Sequence, residues 1–416
     1  MKSSIVGVQR FFVIIKGDSP RRVPFTMTAA GEIRRDIAGM MGFRGLLSLK
    51  IKFERIALGG RKVMEDRVTV AVDAMGGDHA PVEVVKGAVL AVQEHEDLKV
   101  ILTGDEETVK KELSSYQYNQ EQIEVIHAPE VITNHDHPTD AIRRKKNSSL
   151  VVAQRLVREG KADGMFSAGS TGAVLVGGQF VVGRIKGVQR APLAPMIPTT
   201  NGYSLLIDCG ANVDARPSHL VQFAQMGSIY MENVMGRKNP KVGLVNIGAE
   251  EEKGNQLVKE TFPLLKECKT INFVGSVEAR DIPYGTVDVI VCEAFTGNVI
   301  LKLYEGLATA LIKKVKDGLM STTRSKIGGL LIKPALKSTL KDFDMSQYGG
   351  APMLGLNGLV VKGHGSSDAN EVRNAILQCM DFSKQDITGK IRASLGTMEK
   401  KSVQKEGSDD AAKEES

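Results

Sequence analysis

Four short runs of small residues carry the first chemical signal in this sequence. They are Asp73-Ala74-Met75-Gly76-Gly77-Asp78, Ser167-Ala168-Gly169-Ser170-Thr171-Gly172, Asp208-Cys209-Gly210-Ala211-Asn212 and Phe295-Thr296-Gly297-Asn298. Each stands close behind an apolar run of strand length. Glycine turns let backbone N–H groups approach an anion, and a helix starting just after the turn adds positive potential. One such loop reads as no more than a tight turn between strand and helix. Four of them at strand ends favour a shared crevice for a phosphate-type ligand, because open α/β sheets bind ligands outside the carboxyl ends of their strands.

The charged and imidazole side chains near these loops are fewer. Arg143, Arg144, Lys145 and Lys146 precede Asn147-Ser148-Ser149. The serines suit a helix cap and the basic run suits a solvated face, while the same run before a helix start also suits a grip on phosphate or an acidic partner. Lys302 follows the Thr296-Gly297-Asn298 turn, and His364 stands in Gly363-His364-Gly365-Ser366-Ser367. Either reads as facing the crevice or as structural. His135-Asp136-His137 has metal-binding residue types but no further ligand set, so it reads as a solvated loop, and no metal or cofactor is expected. The sequence contains no Walker P-loop, no GxSxG elbow and no GxGxxG fingerprint. ATP hydrolysis, serine-hydrolase chemistry and standard dinucleotide binding therefore have little support.

The elements that must position these loops alternate regularly from residue 68 onward. Strands are expected at 68–72, 98–103, 122–127, 164–167, 203–208, 241–246, 271–275 and 287–292, with helices at 82–95, 148–160 and 255–268 among them. This alternation predicts a mainly parallel sheet covered on both faces. Residues 296–345 read as long helical material, interrupted at Gly318, Gly328-Gly329 and Pro334. From about residue 397 the chain is polar and charged with no apolar period, and reads as a disordered tail.

Composition agrees with a large α/β unit or two lobes. The chain has 416 residues, of which 42% are hydrophobic, with no Trp and only 5% aromatics, so Val, Ile, Leu, Ala and Met must build the core. Cys209, Cys268, Cys292 and Cys379 have no CxxC spacing and read as reduced thiols of a cytosolic protein. No apolar run approaches the length of a membrane span. The net charge of +6 is uneven: residues 1–63 hold 13 Lys and Arg against 4 Asp and Glu, the remainder 42 against 45. Nucleic-acid binding by the main body is therefore not implied. Residues 1–63 show no clear rhythm. Met64 stands just before the first regular strand, and Gly59-Gly60-Arg61 reads as a translated ribosome-binding sequence. Met64 is thus a candidate start, with a basic N-terminal arm as the competing reading.

The run Asp73-Ala74-Met75-Gly76-Gly77-Asp78-His79-Ala80-Pro81 resembles the opening signature of the bacterial phosphate acyltransferases, the PlsX family. The resemblance continues in order through AIRRKKNSS (141–149), ADGMFSAGSTG (162–172), LIDCGANVDARP (206–217), GLVNIGAEEEKGN (243–255), NFVGSVEARDI (272–282), EAFTGNVILKLYEG (293–306) and YGGAPMLGLNGLVVKGHGSS (348–367). It spans roughly residues 68–385 and leaves 1–63 outside. It departs at Ser170, where Asn is expected, at Arg190-Ala191-Pro192-Leu193, and at Glu293-Ala294, where Asp-Gly is common.

The resemblance implies an α/β/α fold similar to phosphotransacetylases and isocitrate/isopropylmalate-dehydrogenase-like enzymes, with a protruding helical pair, in a homodimer. Residues 64–396 would form the catalytic domain, with 296–345 as a dimer or membrane-contact region. It further implies transfer of an acyl chain from acyl carrier protein to inorganic phosphate. The acyl-phosphate would feed a membrane glycerol-3-phosphate acyltransferase, placing the enzyme in the cytoplasm with peripheral membrane association. On this reading phosphate sits among Gly76, Gly77, Gly169, Ser170, Thr171, Gly172, Gly210, Asn212, Gly297 and Asn298. Lys145 or Lys302 neutralises charge, and His79 or His364 assists proton transfer. Carrier protein is acidic, so its dock should be basic. Arg324, Lys326, Lys333 and Lys337, with Leu330 and Leu331 between them, form a basic amphipathic stretch suited to the carrier or to anionic lipid. For residues 303–324 a dimer helix pair is the competing reading.

Overall fold

The structure, a computed structural model, describes residues 10–15, 21–26, 67–341 and 349–394. It divides into two units, residues 1–66 and residues 67–416. In the first unit β1 (Arg10–Ile15) and β2 (Arg21–Thr26) form an antiparallel pair. The sequence reading found no rhythm there. The expected charged tail, 397–416, lies outside the described residues.

Among its described residues the second unit contains two sheets rather than one. The first has six strands: β3 (Val68–Asp73), β4 (Leu98–Gly104), β5 (Ile123–His127), β6 (Gly164–Ser167), β12 (Ala351–Met353) and β13 (Leu359–Lys362), ordered β12-β13-β6-β3-β4-β5. All neighbours run parallel except β12 and β13. The second has five: β7 (Met196–Thr199), β8 (Gly202–Ile207), β9 (Lys241–Asn246), β10 (Asn272–Glu278) and β11 (Val289–Val291), ordered β10-β9-β11-β8-β7. Only β7 and β8 pair antiparallel. The central strand β3, VTVAVD, is largely buried on both faces because helices cover both.

On one face of the first sheet lie α1 (Val82–Glu94) and α10 (Ala369–Lys384). On the other lie α4 (Ser149–Arg158) and α5 (Thr171–Gly177), whose Leu150, Val151, Ala173 and Val174 pack with Ala71 and Met165. Shorter helices α2 (Glu106–Leu113) and α3 (Pro138–Arg144) complete this half. The second sheet is covered by α6 (Pro217–Asn233) and α7 (Gln256–Glu267) on one side. On the other, Ile300, Leu301 and Tyr304 of α8 (Ala294–Met320) pack against Ile197, Leu206 and Ile290.

One apolar core runs through both halves, joining Val72 and Phe166 to Leu205, Phe223 and Val289. A polar tie crosses it where Gln378 Nε2 donates to Tyr230 Oη at 2.8 Å. Beyond Glu305 nearly every residue of α8 is exposed, as is most of α9 (Thr323–Lys341). The expected interruption near Gly318 falls at Ser321 and Thr322, whereas Pro334 lies inside α9. Among the described residues no helix is long and apolar enough to cross a membrane.

Candidate active site

Three loops of the first sheet interlock at its carboxyl edge. Asp73, buried at the end of β3, accepts from Ser167 Oγ at 2.7 Å and from the Met75 amide at 3.3 Å. Gly76 must lack a side chain, because a Cβ there would stand 2.5 Å from Asp73 Oδ2 and 2.9 Å from the Gly169 nitrogen. Gly77 has a φ of +109°, and its neighbour Asp78 donates its amide to Gly365 O at 2.7 Å. The Gly169 amide donates to Ser167 Oγ at 3.0 Å. Burial pushes the Asp73 carboxyl above its ordinary range, opposed by hydrogen bonds from Ser149 and Ser167.

Lys362 ends β13 inside this junction. It is 8% exposed, and its Nζ lies 3.5 Å from Ala168 O and touches Gly363 O. Burial pulls its ammonium down to about 8; the Asp73 carboxylate opposes that shift and the Lys302 charge adds to it. A buried cation close to a second cation is a receptive environment for an anion.

The second sheet presents a corresponding edge. Asp208 follows β8 and is fully buried. Its Oδ1 accepts from the amides of Leu193 at 2.9 Å, Gly210 at 3.2 Å and Ala211 at 3.1 Å, and its Oδ2 accepts from Asn212 Nδ2 at 2.7 Å. Glu293 caps the start of α8 by accepting from the Thr296 amide at 3.3 Å, and it also accepts from Thr296 Oγ1 at 2.6 Å. Gly297 lets α8 begin against β8, since a Cβ there would lie 1.9 Å from Asp208 O.

Both edges open into one cleft of about 1150 Å³. Its floor takes Ala168, Gly169, Lys362 and Gly363 from the first sheet. Leu193, Met196, Cys209 and Leu301 form an apolar wall, and Asn298, Lys302 and Lys313 line it along α8. Lys302 Nζ donates to Glu305 Oε2 at 2.7 Å.

Of the residues expected from sequence, Gly169, Thr171, Asn298, Lys302 and His364 line this cleft. The exposed His364 places Nδ1 2.8 Å from Ser366 Oγ. Gly76 and Gly77 lie behind the lining and bring the loops together. Ser170 is nearly buried before α5, and a Cβ at Gly172 would meet Pro138 Cγ at 2.5 Å. Gly210, Asn212 and Gly297 are also outside the lining, with Asn212 Nδ2 held by Asp208 and by Ala191 O at 3.0 Å. Lys145 lies apart: its Nζ donates to Asp136 Oδ2 at 2.7 Å and to Val131 O at 2.9 Å. That contact holds the Asp136 carboxyl down to about 2 and engages the middle of the His135-Asp136-His137 run. His79 is exposed and does not line the cleft. Among the described residues no cluster of three or more His, Cys, Asp or Glu could hold a metal ion.

Arg324, Lys326, Leu330, Leu331 and Lys333 are on α9. Lys326, Leu330 and Lys333 line a separate groove of about 530 Å³ against Leu311 and Val315 of α8. The Lys337 side chain lies outside the described residues. The residue that sequence reasoning missed is Lys362. Its signal was the pattern shared by Asp73 and Ser167: a polar residue closing a mainly apolar strand.

Residues 68–390 match a family model described as "Fatty acid synthesis protein". The chain is 52% identical over 326 residues to a phosphate acyltransferase of Clostridium novyi (strain NT), covering 78% of this chain and 98% of the relative. It is 52% identical over 329 residues to that of Alkaliphilus oremlandii (strain OhILAs), covering 79% and 98%. Among solved structures, a phosphotransacetylase from Streptococcus pyogenes superposes with a TM-score of 0.53 at 15% identity, covering 83% of this chain and 99% of the other. The EutD phosphotransacetylase from Staphylococcus aureus gives 0.50 at 17% identity, covering 78% and 97%. At such identities the structural likeness concerns the fold.

Proposed function

The chain belongs to this fatty acid synthesis family, whose relatives here are named phosphate acyltransferases, and we propose that it moves an acyl chain from an acyl carrier protein thioester to inorganic phosphate. One observation carries the reading: a single cleft combines the Lys362 and Lys302 cations with the apolar wall of Leu193, Met196 and Leu301. The first part suits phosphate and the second an acyl chain.

The chemistry needs no covalent enzyme intermediate, because a thioester is already activated. Lys362 and Lys302 hold hydrogen phosphate beside the thioester carbonyl, which contributes mainly through proximity. A phosphate oxygen attacks the carbonyl carbon, the new C–O bond forms and the C–S bond breaks. The proton of hydrogen phosphate ends on the departing thiolate, and His364, which lines the cleft, carries it in this reading. The developing oxyanion is met by the Lys362 ammonium.

The exposed helices supply the proposed partners. In α8, Leu303, Leu307 and Leu311 leave an apolar stripe exposed, which suits a second copy of the chain. In α9, Leu330 and Leu331 stand among basic residues and suit an anionic membrane surface or the carrier. Peripheral association would deliver the acyl-phosphate to a membrane glycerol-3-phosphate acyltransferase.

Palmitoyl carrier protein, phosphate and the purified chain, trapped with hydroxylamine, test the reaction. Hydroxamate that appears only when both phosphate and enzyme are present is the expected result. Equal yield without phosphate, or turnover with palmitoyl-coenzyme A but none with the carrier thioester, would overturn the reading.

A further inference from the structure

The cleft continues past the proposed reaction centre along α8. Asn298, Lys302, Gly306, Thr309 and Lys313 all line it. At 3.6 residues per turn these positions fall on one side of the helix, and Leu303, Leu307 and Leu311 fall on another. The cleft-facing strip is therefore separate from the apolar stripe. Its middle is open: Gly306 has no side chain, and a Cβ there would meet nothing within 4 Å. Each end carries a lysine, the inner one beside Glu305, which also lines the cleft. Lys302 is close enough to depress Lys362, which fixes the inner end at the phosphate site. Lys313 is exposed at the outer end, and among the described residues no carboxylate pairs with it, whereas Lys302 is paired with Glu305.

From Lys302 to Lys313 the helix rises about 16 Å. A 4′-phosphopantetheine arm has a matching layout: a thioester at one end, a neutral amide chain and a phosphodiester at the other. Its backbone from phosphodiester oxygen to sulfur is slightly longer than four extended residues, about 15 Å. We propose that this strip of α8 is the track for the carrier's phosphopantetheine arm, with Lys313 reading the phosphodiester when the thioester lies beside Lys302 and Lys362. The inference rests on the acyl-transfer reading above and specifies how the donor is recognised. The strip sets the distance between the carrier's surface and the reacting carbonyl, so donors are selected by arm length and terminal charge as well as by acyl chain.

The test compares three palmitoyl donors at saturating phosphate: the carrier protein thioester, palmitoyl-4′-phosphopantetheine and palmitoyl-pantetheine, which lacks the phosphate. Lys313→Gln should raise KM for the first two by roughly fivefold, as expected for loss of one partly solvated charge contact. It should leave kcat unchanged, leave palmitoyl-pantetheine unaffected, and have a smaller effect at high salt. Gly306→Leu, at an exposed helix position with open space, should raise KM for all three. An equal effect of Lys313→Gln on palmitoyl-pantetheine, no effect on any donor, or an effect confined to the carrier protein would overturn the track. If the wild-type chain turned over none of the three with phosphate, the acyl-transfer reading itself would be at fault.

Discussion

At the scale of single residues, Lys362 is where charge and burial meet. Its ammonium is held down to about 8 by burial, with Asp73 and Asp78 opposing the shift and Lys302 adding to it. If it binds phosphate, its charge is available below that pH and lost above it. Phosphate KM should then rise with pH above about 8, approaching tenfold per unit. Lys362→Arg should flatten this rise, because guanidinium keeps its proton. Stability should move the other way. Between about pH 8 and the ordinary lysine value of 10.5, the unfolded chain binds the proton that the folded chain has lost, so stability rises with pH there. A wild-type phosphate KM that stays level from pH 7 to 9.5 would remove Lys362 from phosphate binding. The glycine loops were legible in the sequence because their composition is unusual. Lys362 was not, since a lysine near a turn is ordinarily solvated and only the packing of three loops buries it.

At the scale of elements, the long parallel strands and the covering helices α1, α4 and α7 followed from apolar period, whereas α6 and α10 were not singled out. β7, β12 and β13, three or four residues long, did not follow from it, although the equally short β6 did. Such short runs do not establish a period, and partners far away in sequence complete them. The helical stretch was legible, but its break at Ser321 and Thr322 was not. There Thr322 and Ser325 hydroxyls and amides bond one another, which ends one helix and starts the next. Leu330 and Leu331 of α9 are 71% and 77% exposed. If they enter lipid, Leu330→Glu with Leu331→Glu should weaken binding to anionic vesicles by at least about tenfold, given the transfer energy of two leucines. Thermal stability should hardly change. Sedimentation with unaltered affinity would sink the membrane contact.

At the scale of the whole molecule, the segment from Pro192 to Pro195 joins the two sheets. Leu354 N bonds Pro192 O and Ala194 N bonds Pro352 O on the first-sheet side, while Cys209 N bonds Leu193 O and Leu206 N bonds Pro195 O on the second. Asp208 fastens this seam through the Leu193 amide. Asp208→Ala would leave buried donors without an acceptor, and should cost about 3–5 kcal/mol in urea unfolding. It should also lower activity at temperatures where the fold survives, because the seam aligns the two halves of the cleft. Wild-type stability in that variant would refute the role of the seam.

The sequence by itself determined the alternation of strands and helices, the glycine turns at their carboxyl ends and the basic amphipathic stretch, because these depend on local period and residue type. The tertiary structure alone decided that the strands divide into two sheets facing one cleft. It also decided that Lys362 rather than Lys145 lies there, and that Asn212 and Gly297 build the wall behind it. Those outcomes depend on which distant segments pack together, and burial and charge proximity exist only after that packing is made.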